Sequence, residues 1–445
     1  MSARSTGYPD HRGAGSAPRA LRHYIAAATG VLALAAGGAA ALFSGTASAA
    51  TATPVAVAAP ANIGLFGSAD PTYDGVYRQS LAILGLVATG HTPNAPAVNW
   101  LLSQQCADGA FTAYRANTAT ACTAAAEDEN STALAIQALA ALGKPTASAV
   151  AALRHFQLAN GGFYDNTAFG PAVADANSTG LAESAFVAGG VDPATVTSSA
   201  GKIADDYLRT VQIACSATSG GGSYDYQGET PLLADDYATV QALLGELGKA
   251  FPVAVSPLGG SVPSCPAAIT NATTSAAAAT SYLAARLAAN NGAIPGATAG
   301  VVDWTSTANA VLDLEAAGAG TANVTAALTG LEANVKGYVA TAGVYTPARL
   351  ATLLLVAHAS GVDPGSFGGV DLTTTLASTE RTAPIAAPAP APTPAPAPTT
   401  APTTPTLPMT GAADVAPTGS LAVVLVGLGL VALAVSRRRP GQRRV

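Results

Sequence analysis

The stretch at residues 128–143 reads DENSTALAIQALAALG, and two further stretches align with it without a gap. They read DANSTGLAESAFVAGG at 175–190 and DWTSTANAVLDLEAAG at 303–318, so one Asp, Ser, Thr and closing Gly recur at fixed offsets. An Asp caps the start of a helix, and a Gly commonly ends one. Because the residues between them are mostly apolar on every side, we expect each stretch to form a buried helix. Looser copies end at Gly90, Gly248 and Gly361, which predicts six buried helices.

A second element alternates with these helices. Residues 100–105 (WLLSQQ) are followed by 108–111 (DGAF), and residues 152–157 (ALRHFQ) by 160–163 (NGGF), with Gln and Gly-x-Phe at the same offsets. These segments are amphipathic, which predicts outer helices that end at a left-handed Gly, with the aromatic residue folded back onto the helix pair. Degenerate copies occur at 207–212 with 222–224, around 282–294 and around 331–345.

Buried and amphipathic helices that alternate at a repeat of about fifty residues predict an inner and an outer ring. On these residues the chain resembles the prenyltransferase and squalene-cyclase repeat family, and 100–111 is similar to its Gln-Trp repeat, with Phe111 where a Trp is common. The resemblance covers most of residues 62–378 and implies an all-α fold, an α/α toroid of six inner and five to six outer helices. It leaves the activity open, because this architecture carries cyclases, protein prenyltransferases, thioester domains and cobalamin carriers.

Class II terpene cyclases of that family carry Asp-x-Asp-Asp-Thr-Ala at the start of an inner helix, where the middle Asp protonates the substrate. In the three aligned stretches the central acids are replaced by amides and hydroxyls, which cannot donate that proton. The adjacent carboxylates Asp235 and Asp236 are the nearest survivor and are the catalytic candidates. The alternative is that the aspartates only cap helices, and it applies to Asp128, Asp175, Asp235 and Asp303.

Signatures of metal, cofactor and phosphate chemistry are missing from the sequence. A protein prenyltransferase needs Asp, Cys and His as zinc ligands, but His91, His155 and His358 are neither beside a Cys nor paired at metal spacing. No thioester Cys-Gly-Glu-Gln, Gly-x-Ser-x-Gly or phosphate loop occurs. The sequence therefore predicts no metal and no cofactor.

Four cysteines, an even number, favour disulfides in an exported chain, and three pairings are possible. Cys106 and Cys215 each lie just beyond the Gln of an outer helix, where an inserted loop begins. We therefore predict the pairs Cys106–Cys122 and Cys215–Cys265, each closing its own insertion.

The N-terminal segment has the order of a secretory signal. Arg19 and Arg22 precede an apolar run at 24–43, and Ala47 and Ala49 flank Ser48 as a small-residue cleavage site. This predicts a signal peptide at 1–49, cleaved after Ala49, and a short linker at 50–61. No adjacent Arg pair opens the apolar run, which favours the general secretory route. The alternative is a retained membrane anchor.

The C-terminal segment has the order of a wall anchor. Residues 379–406 are rich in Ala, Pro and Thr, which predicts an extended, wall-spanning linker. Residues 407–445 resemble the sorting signal of sortase substrates, with an apolar transmembrane stretch at 421–435 and an arginine-rich tail. The resemblance implies cleavage after Thr410, whose carboxyl would join a peptidoglycan amine. The alternative is a plain transmembrane anchor. The five residues of the motif are Leu407, Pro408, Met409, Thr410 and Gly411.

The net charge of the chain without its end segments argues against polyanionic partners. Subtracting the nine arginines and two aspartates of the end segments from 20 basic and 26 acidic residues leaves 11 and 24, a net charge of −13. General electrostatic binding to nucleic acid or anionic wall polymer is therefore disfavoured. Three hypotheses follow. The first is a non-enzymatic, secreted, wall-anchored protein that displays a ring or binds an unidentified ligand or surface partner at one mouth. The second is a carrier of an apolar or corrinoid ligand, and the third is a residual cyclase or lyase that uses Asp235 and Asp236.

Wall fractionation tests the anchoring prediction. We expect the protein to stay with the peptidoglycan after detergent extraction and to be released only when the wall is digested, because the predicted link through Thr410 is covalent. Release of the intact chain by detergent, with its arginine tail, would contradict the prediction.

Overall fold

The computed structural model describes residues 62–168 and 170–382. The predicted signal peptide, the sorting signal with its transmembrane stretch and most of the two linkers lie outside the described residues. The described chain holds twelve α-helices and one two-stranded ribbon, β1 (Ala340–Thr341) and β2 (Val344–Tyr345). The all-α prediction is confirmed.

The six predicted buried helices are present, and we call them the inner helices. Their central residues are almost entirely buried. The outer helices alternate with them along the chain. The inner helices are α1 (Gly75–Ala88), α3 (Glu129–Ala141), α5 (Ala176–Ala188), α7 (Asp236–Glu246), α9 (Trp304–Ala317) and α11 (Pro347–Ala359). The outer helices are α2 (Ala95–Ser103), α4 (Ala147–Leu153), α6 (Ala204–Thr210), α8 (Ala272–Ala289), α10 (Thr321–Val339) and α12 (Leu372–Ala377).

Contacts among the inner helices follow a closed order. Each inner helix packs against the next inner helix along the chain, and α11 packs against α1. Small residues permit the closest of these contacts. A Cβ on Gly180 of α5 would overlap the backbone of Ala242 in α7, and one on Gly245 would overlap the Gly180 carbonyl. The Ala- and Gly-rich composition thus lets two helix backbones approach more closely than larger side chains would allow.

The recurring Asp and Thr of the inner helices link each helix start to the preceding turn. In α5, the Asp175 carboxylate accepts from the Ser178 N–H at 2.7 Å and caps the helix. The buried Thr179 hydroxyl donates to the Asp175 carbonyl at 2.6 Å and accepts from the Phe163 N–H at 2.9 Å. We call this pair of bonds the Thr link. It recurs as Thr132 with Phe111, Thr239 with Tyr224 and Thr307 with Ile294.

The Gln and Gly of the second element form a turn after three of the outer helices. The Gln157 amide donates to the Gly161 carbonyl at 3.0 Å, and Gly161 has φ +95°. A Cβ on Gly161 would overlap the Ile203 carbonyl at the start of the next outer helix, so only Gly fits there. The predicted left-handed Gly and inward-folded aromatic are confirmed. The equivalent residues are Gln105 with Gly109 and Gln212 with Gly222, and the aromatics Phe111, Phe163 and Tyr224 are fully buried.

Both predicted disulfides are present, Cys106–Cys122 and Cys215–Cys265. The paired cysteines are 16 and 50 residues apart in the sequence, and the two bonds use all four cysteines. Disulfides form and persist in oxidising compartments, so the bonds indicate an extracellular or secreted protein. In the part of the chain that the structure describes, no helix is both long and apolar enough to span a bilayer.

The two ends of the described chain meet. The Arg381 N–H donates to the Leu65 carbonyl at 3.0 Å, and the Gly67 N–H donates to the Thr379 carbonyl at 2.9 Å. The Arg381 guanidinium also donates to the Gly67 carbonyl at 2.6 Å. These bonds fasten the segment that follows α12 to the segment that precedes α1.

The Thr link can be tested with Thr179→Val. We expect this variant to lose about 2 kcal/mol of unfolding free energy, because the buried Phe163 N–H would have no acceptor. Thr325→Val on α10 is the matched control, since the exposed Thr325 hydroxyl bonds only to a carbonyl of its own helix; it should change stability by less than about 0.5 kcal/mol. Chemical denaturation measures both values, and equal losses would contradict a special role for the link.

Candidate functional site

Four carboxyl groups gather at the N-terminal ends of α3 and α5. Asp128 and Glu129 open α3, Asp175 caps α5, and Asp165 lies on the loop between α4 and α5. The loop reaches α3 because the Glu129 N–H donates to the Asp165 carbonyl at 2.8 Å. We call these groups, together with Asn130, Asn166 and Asn177, the acid pit.

Amide groups connect the carboxylates of the acid pit. Asn130 donates to one Asp165 oxygen at 3.0 Å. Asn166 bridges the other Asp165 oxygen, at 2.8 Å, and an Asp128 oxygen, at 3.3 Å. Asn177 donates to the Asn130 carbonyl oxygen at 3.4 Å, which joins the start of α5 to that of α3. Each of the three amides thus donates at least one hydrogen bond inside the pit.

Burial differs among the residues of the acid pit. Asp128, Asn130 and Asp165 are half-buried, whereas Glu129 is 0% exposed. Both Glu129 carboxylate oxygens and the Asn177 side-chain oxygen are buried and accept no hydrogen bond. These three oxygens therefore lack a hydrogen-bond partner, which is costly above all for an ionised carboxylate.

Burial keeps protons in the acid pit near neutral pH. Removal from water raises the pKa of Asp165 to about 8, and the neighbouring Asp128 charge adds to the rise. Burial also raises the pKa of Asp175 to about 7 and that of Glu129 well above its ordinary value. Burial also raises the pKa of Asp128, although its hydrogen bonds with Ser131 oppose the rise.

Two tyrosines lie near the carboxylates of the acid pit. Burial raises the pKa of Tyr77, on α1, to about 12, and the nearby charges of Asp128 and Glu129 add to this rise. Burial also raises the pKa of Tyr226, and the charges of Asp175 and Asp165 add to this rise. Exposed apolar side chains collect just before or at the starts of the inner helices; they are Tyr73, Val173, Leu233, Tyr237, Val301 and Tyr345.

The two catalytic candidates from the sequence have structural partners. The Asp235 carboxylate caps α7 by accepting from the Ala238 N–H at 3.0 Å. Asp236 accepts from the Arg286 guanidinium at 2.8 Å and from the Tyr282 hydroxyl at 2.6 Å. A catalytic role for either residue stays a prediction.

Sequence reasoning missed the residues that complete the acid pit. Glu129 follows a helix cap, where an acid is ordinarily explained by the helix dipole. Asp165 follows the buried Phe163 by two residues, and the equivalent position two residues after Tyr224 is Tyr226. Their carbonyls accept from the Glu129 and Ala176 N–H groups, respectively. The sequence signal that could have found Asp165 is its place as the second residue after a Gly-x-aromatic turn. The residue at that place lies against the start of the preceding inner helix.

The described residues hold one group of side chains with the spacing of metal ligands. Within residues 62–168 and 170–382, one group of three potential ligand atoms lies within 4.8 Å of one another, from Cys106, Asp108 and Glu127. The Cys106 sulfur belongs to a disulfide, which leaves two carboxylates. The acid pit does not form such a group, so its oxygens are spread more widely than metal coordination requires.

A second group of buried acids lies between inner and outer helices. Glu183 of α5, Glu246 of α7 and Asp205 of α6 form it, and we call it the wall cluster. The Ser275 hydroxyl is hydrogen-bonded to Glu246 at 2.9 Å, and Arg209 donates to Asp205 at 3.1 Å. Burial raises the pKa of Glu246 to about 8, and it raises that of Glu183 well above its ordinary value.

Comparisons with known proteins add little to this geometry. No protein-family model matches the chain, and no curated protein matches it. Among solved structures, the crystal structure of a protein from Actinoplanes is similar over 67% of this chain and 93% of that chain, with 15% sequence identity and a TM-score of 0.41. A likeness at that level carries no argument about fold or function.

The buried acids predict an unusual dependence of stability on pH. Folded Glu246 and Asp165 keep their protons up to about pH 8, whereas the unfolded chain releases them near its ordinary pKa values of 4.5 and 3.8. Between these limits the unfolded chain binds fewer protons, so the unfolding free energy falls as pH rises and levels off above about pH 8.

Denaturation at about pH 5, 6.5 and 8 measures this fall. Glu246→Gln should make it shallower, because one group no longer titrates. Glu332→Gln on α10 is the control and should preserve the slope. Stability that rises with pH across this range would contradict the proposed cause.

Proposed function

We propose that this protein is a non-enzymatic, exported binding protein whose ligand site is the acid pit. One observation carries the proposal: the fully buried Glu129 has two oxygens that accept no hydrogen bond, and the half-buried Asp128, Asn130 and Asp165 belong to the same group. Buried polar groups without a partner are rare in folded proteins, and a ligand that reaches them would account for them.

For the scaffold we propose the α/α toroid that the repeats predict. Support comes from the closed order of contacts, in which each inner helix packs on the next and α11 returns to α1. The alternation with six outer helices is also that of an inner and an outer ring.

The location we propose is the outer surface of a Gram-positive cell, with the chain joined to peptidoglycan through Thr410 by a sortase. The two disulfides support export. The order of Leu407-Pro408-Met409-Thr410-Gly411, apolar stretch and arginine tail in the sequence supports the anchor.

A second candidate function is proton transfer to a substrate. One observation favours it: Asp165 is half-buried, and burial and the Asp128 charge raise its pKa to about 8, so it is a neutral acid at pH 7. The carrier of an apolar or corrinoid ligand, and an enzyme that uses Asp235 and Asp236, remain proposals from sequence.

The proposed function is tested by screening the purified full chain against wall glycans, isoprenoids, corrinoids and organic amines. We expect at least one class to bind, and Asp165→Asn to weaken that binding by about tenfold, because the pit loses a carboxyl group. The control is Asp363→Asn, since the exposed Asp363 only accepts from its own turn. If Asp165→Asn leaves the binding unchanged, the site lies elsewhere. If a bound compound is turned over and Asp165→Asn abolishes that turnover, the second candidate function is favoured.

A further inference from the structure

One buried hydroxyl, that of Ser275 in the first turn of α8, connects three parts of the helical repeat. It lies 2.7 Å from the Tyr224 hydroxyl, 2.8 Å from the Gln212 side-chain oxygen and 2.9 Å from a Glu246 carboxyl oxygen. Glu246 ends α7, whereas Gln212 and Tyr224 belong to the turn that follows α6. All four side chains are buried. We call them the Ser275 joint, since they hold α7, α8 and this turn together.

The orientation of the Gln212 amide is fixed by its other contacts. Its nitrogen donates to the Gly222 carbonyl at 2.9 Å and to the Ser275 carbonyl at 3.0 Å. Exchanging the amide nitrogen and oxygen would set an acceptor against both carbonyls, so the oxygen must face the Ser275 hydroxyl. Because that oxygen carries no proton, the Ser275 hydroxyl donates to it.

The three short oxygen contacts of Ser275 need three protons. Oxygens at 2.7 to 2.9 Å form a hydrogen bond only when a proton lies between them. The hydroxyls of Ser275 and Tyr224 supply one proton each, and burial keeps the second in place by raising the pKa of Tyr224 well above its ordinary value. If Glu246 were ionised, it and Gln212 would both need the single Ser275 proton. The third proton therefore belongs to Glu246, which donates to Ser275.

We propose that the Ser275 joint is a pH-sensitive fastening of α8, which neutral Glu246 holds closed by donating to Ser275 and which opens when Glu246 loses that proton. Ionised Glu246 leaves two acceptors, its own oxygen and that of Gln212, in competition for one hydroxyl proton. The start of α8 is then held less firmly to α7 and to the turn after α6.

The surroundings of the joint set the pH range of this change. Burial raises the pKa of Glu246 to about 8, and the Asp205 charge adds to the rise. The buried acid of the neighbouring α9, Asp313, has its pKa raised by burial alone. From α8 the facing group is the uncharged Ser275. The titratable and charged groups that face Glu246 come from α5, α6 and the turn after α6; they are Glu183, Asp205, Arg209 and Tyr224.

The direction of the pH effect follows from these values. Opening the joint would return Glu246 to water, where its ordinary pKa is 4.5. Between that pKa and about 8 the open joint binds fewer protons than the closed one. Opening therefore becomes easier as pH rises from about 5, and the effect levels off above about pH 8.

The second disulfide keeps such an opening local. Cys215 lies three residues after Gln212, and Cys265 lies ten residues before Ser275. A Cβ on Gly222 would lie 3.3 Å from the Cys265 sulfur, so the disulfide packs against the same turn as the joint. The covalent bond holds the two sides near each other when the hydrogen bonds are broken, and the joint can close again.

Hydrogen exchange on the purified full chain tests the proposal. Protection factors at pH 6 and pH 8 are compared, because they remove the direct effect of pH on exchange chemistry. We expect those of residues 275–280 in α8 to fall at least about tenfold, since opening transfers Glu246 to water. Those of α10 are the internal reference and should change by less than about twofold. An equal fall in every helix would indicate global unfolding and would overturn the proposal.

Three variants locate the proton. Glu246→Gln supplies an amide N–H to Ser275 at every pH, so the protection of α8 should change by less than about twofold between pH 6 and pH 8. Glu315→Gln is the matched control: it changes a buried glutamate of α9 outside the joint and should keep the wild-type fall. Ser275→Ala removes the joint and should leave α8 weakly protected at both pH values. A full fall in Glu246→Gln, or wild-type protection at pH 6 in Ser275→Ala, would overturn the proposal.

Discussion

The Thr link is the interaction on which the repeated architecture depends. A turn after an outer helix must place a large aromatic or aliphatic side chain in the core, and its N–H is then buried with it. The hydroxyl of the fifth residue in each Asp-x-x-x-Thr motif accepts a hydrogen bond from that N–H. It also donates a hydrogen bond to the carbonyl of the Asp that caps the helix. One side chain therefore satisfies two backbone groups and fixes the register between each turn and its inner helix.

The acid pit follows from this arrangement. Because four of the six inner helices begin with a capping Asp, neighbouring helix starts bring carboxylates together at one end. Helix dipoles and capping hydrogen bonds favour their ionised form, but burial outweighs them, as the raised pKa of Asp175 shows although its carboxylate accepts from Ser178. The cost is concentrated at Glu129, where no hydrogen bond offsets the loss of water.

Much of the fold could be predicted from sequence because its signals are local. Helix caps, left-handed glycines and loop-closing cysteines each act within a few residues or one insertion, and each was found where predicted. The site could not be predicted in the same way, because Asp165 meets Asp128 across 37 positions of sequence, through a backbone bond to Glu129 that no periodicity indicates. The acids chosen from sequence, Asp235 and Asp236, were adjacent in the chain; in the structure, one caps a helix and the other pairs with Arg286.

The meeting of the two chain ends has a mechanical consequence. In a protein held at its C-terminal side, shear from flowing liquid would reach the folded part first at Arg381. The load would fall on its backbone and guanidinium bonds to Leu65 and Gly67 before any inner helix was strained. These few bonds would open first under tension and lengthen the connection to the attachment point, while the helices stayed folded.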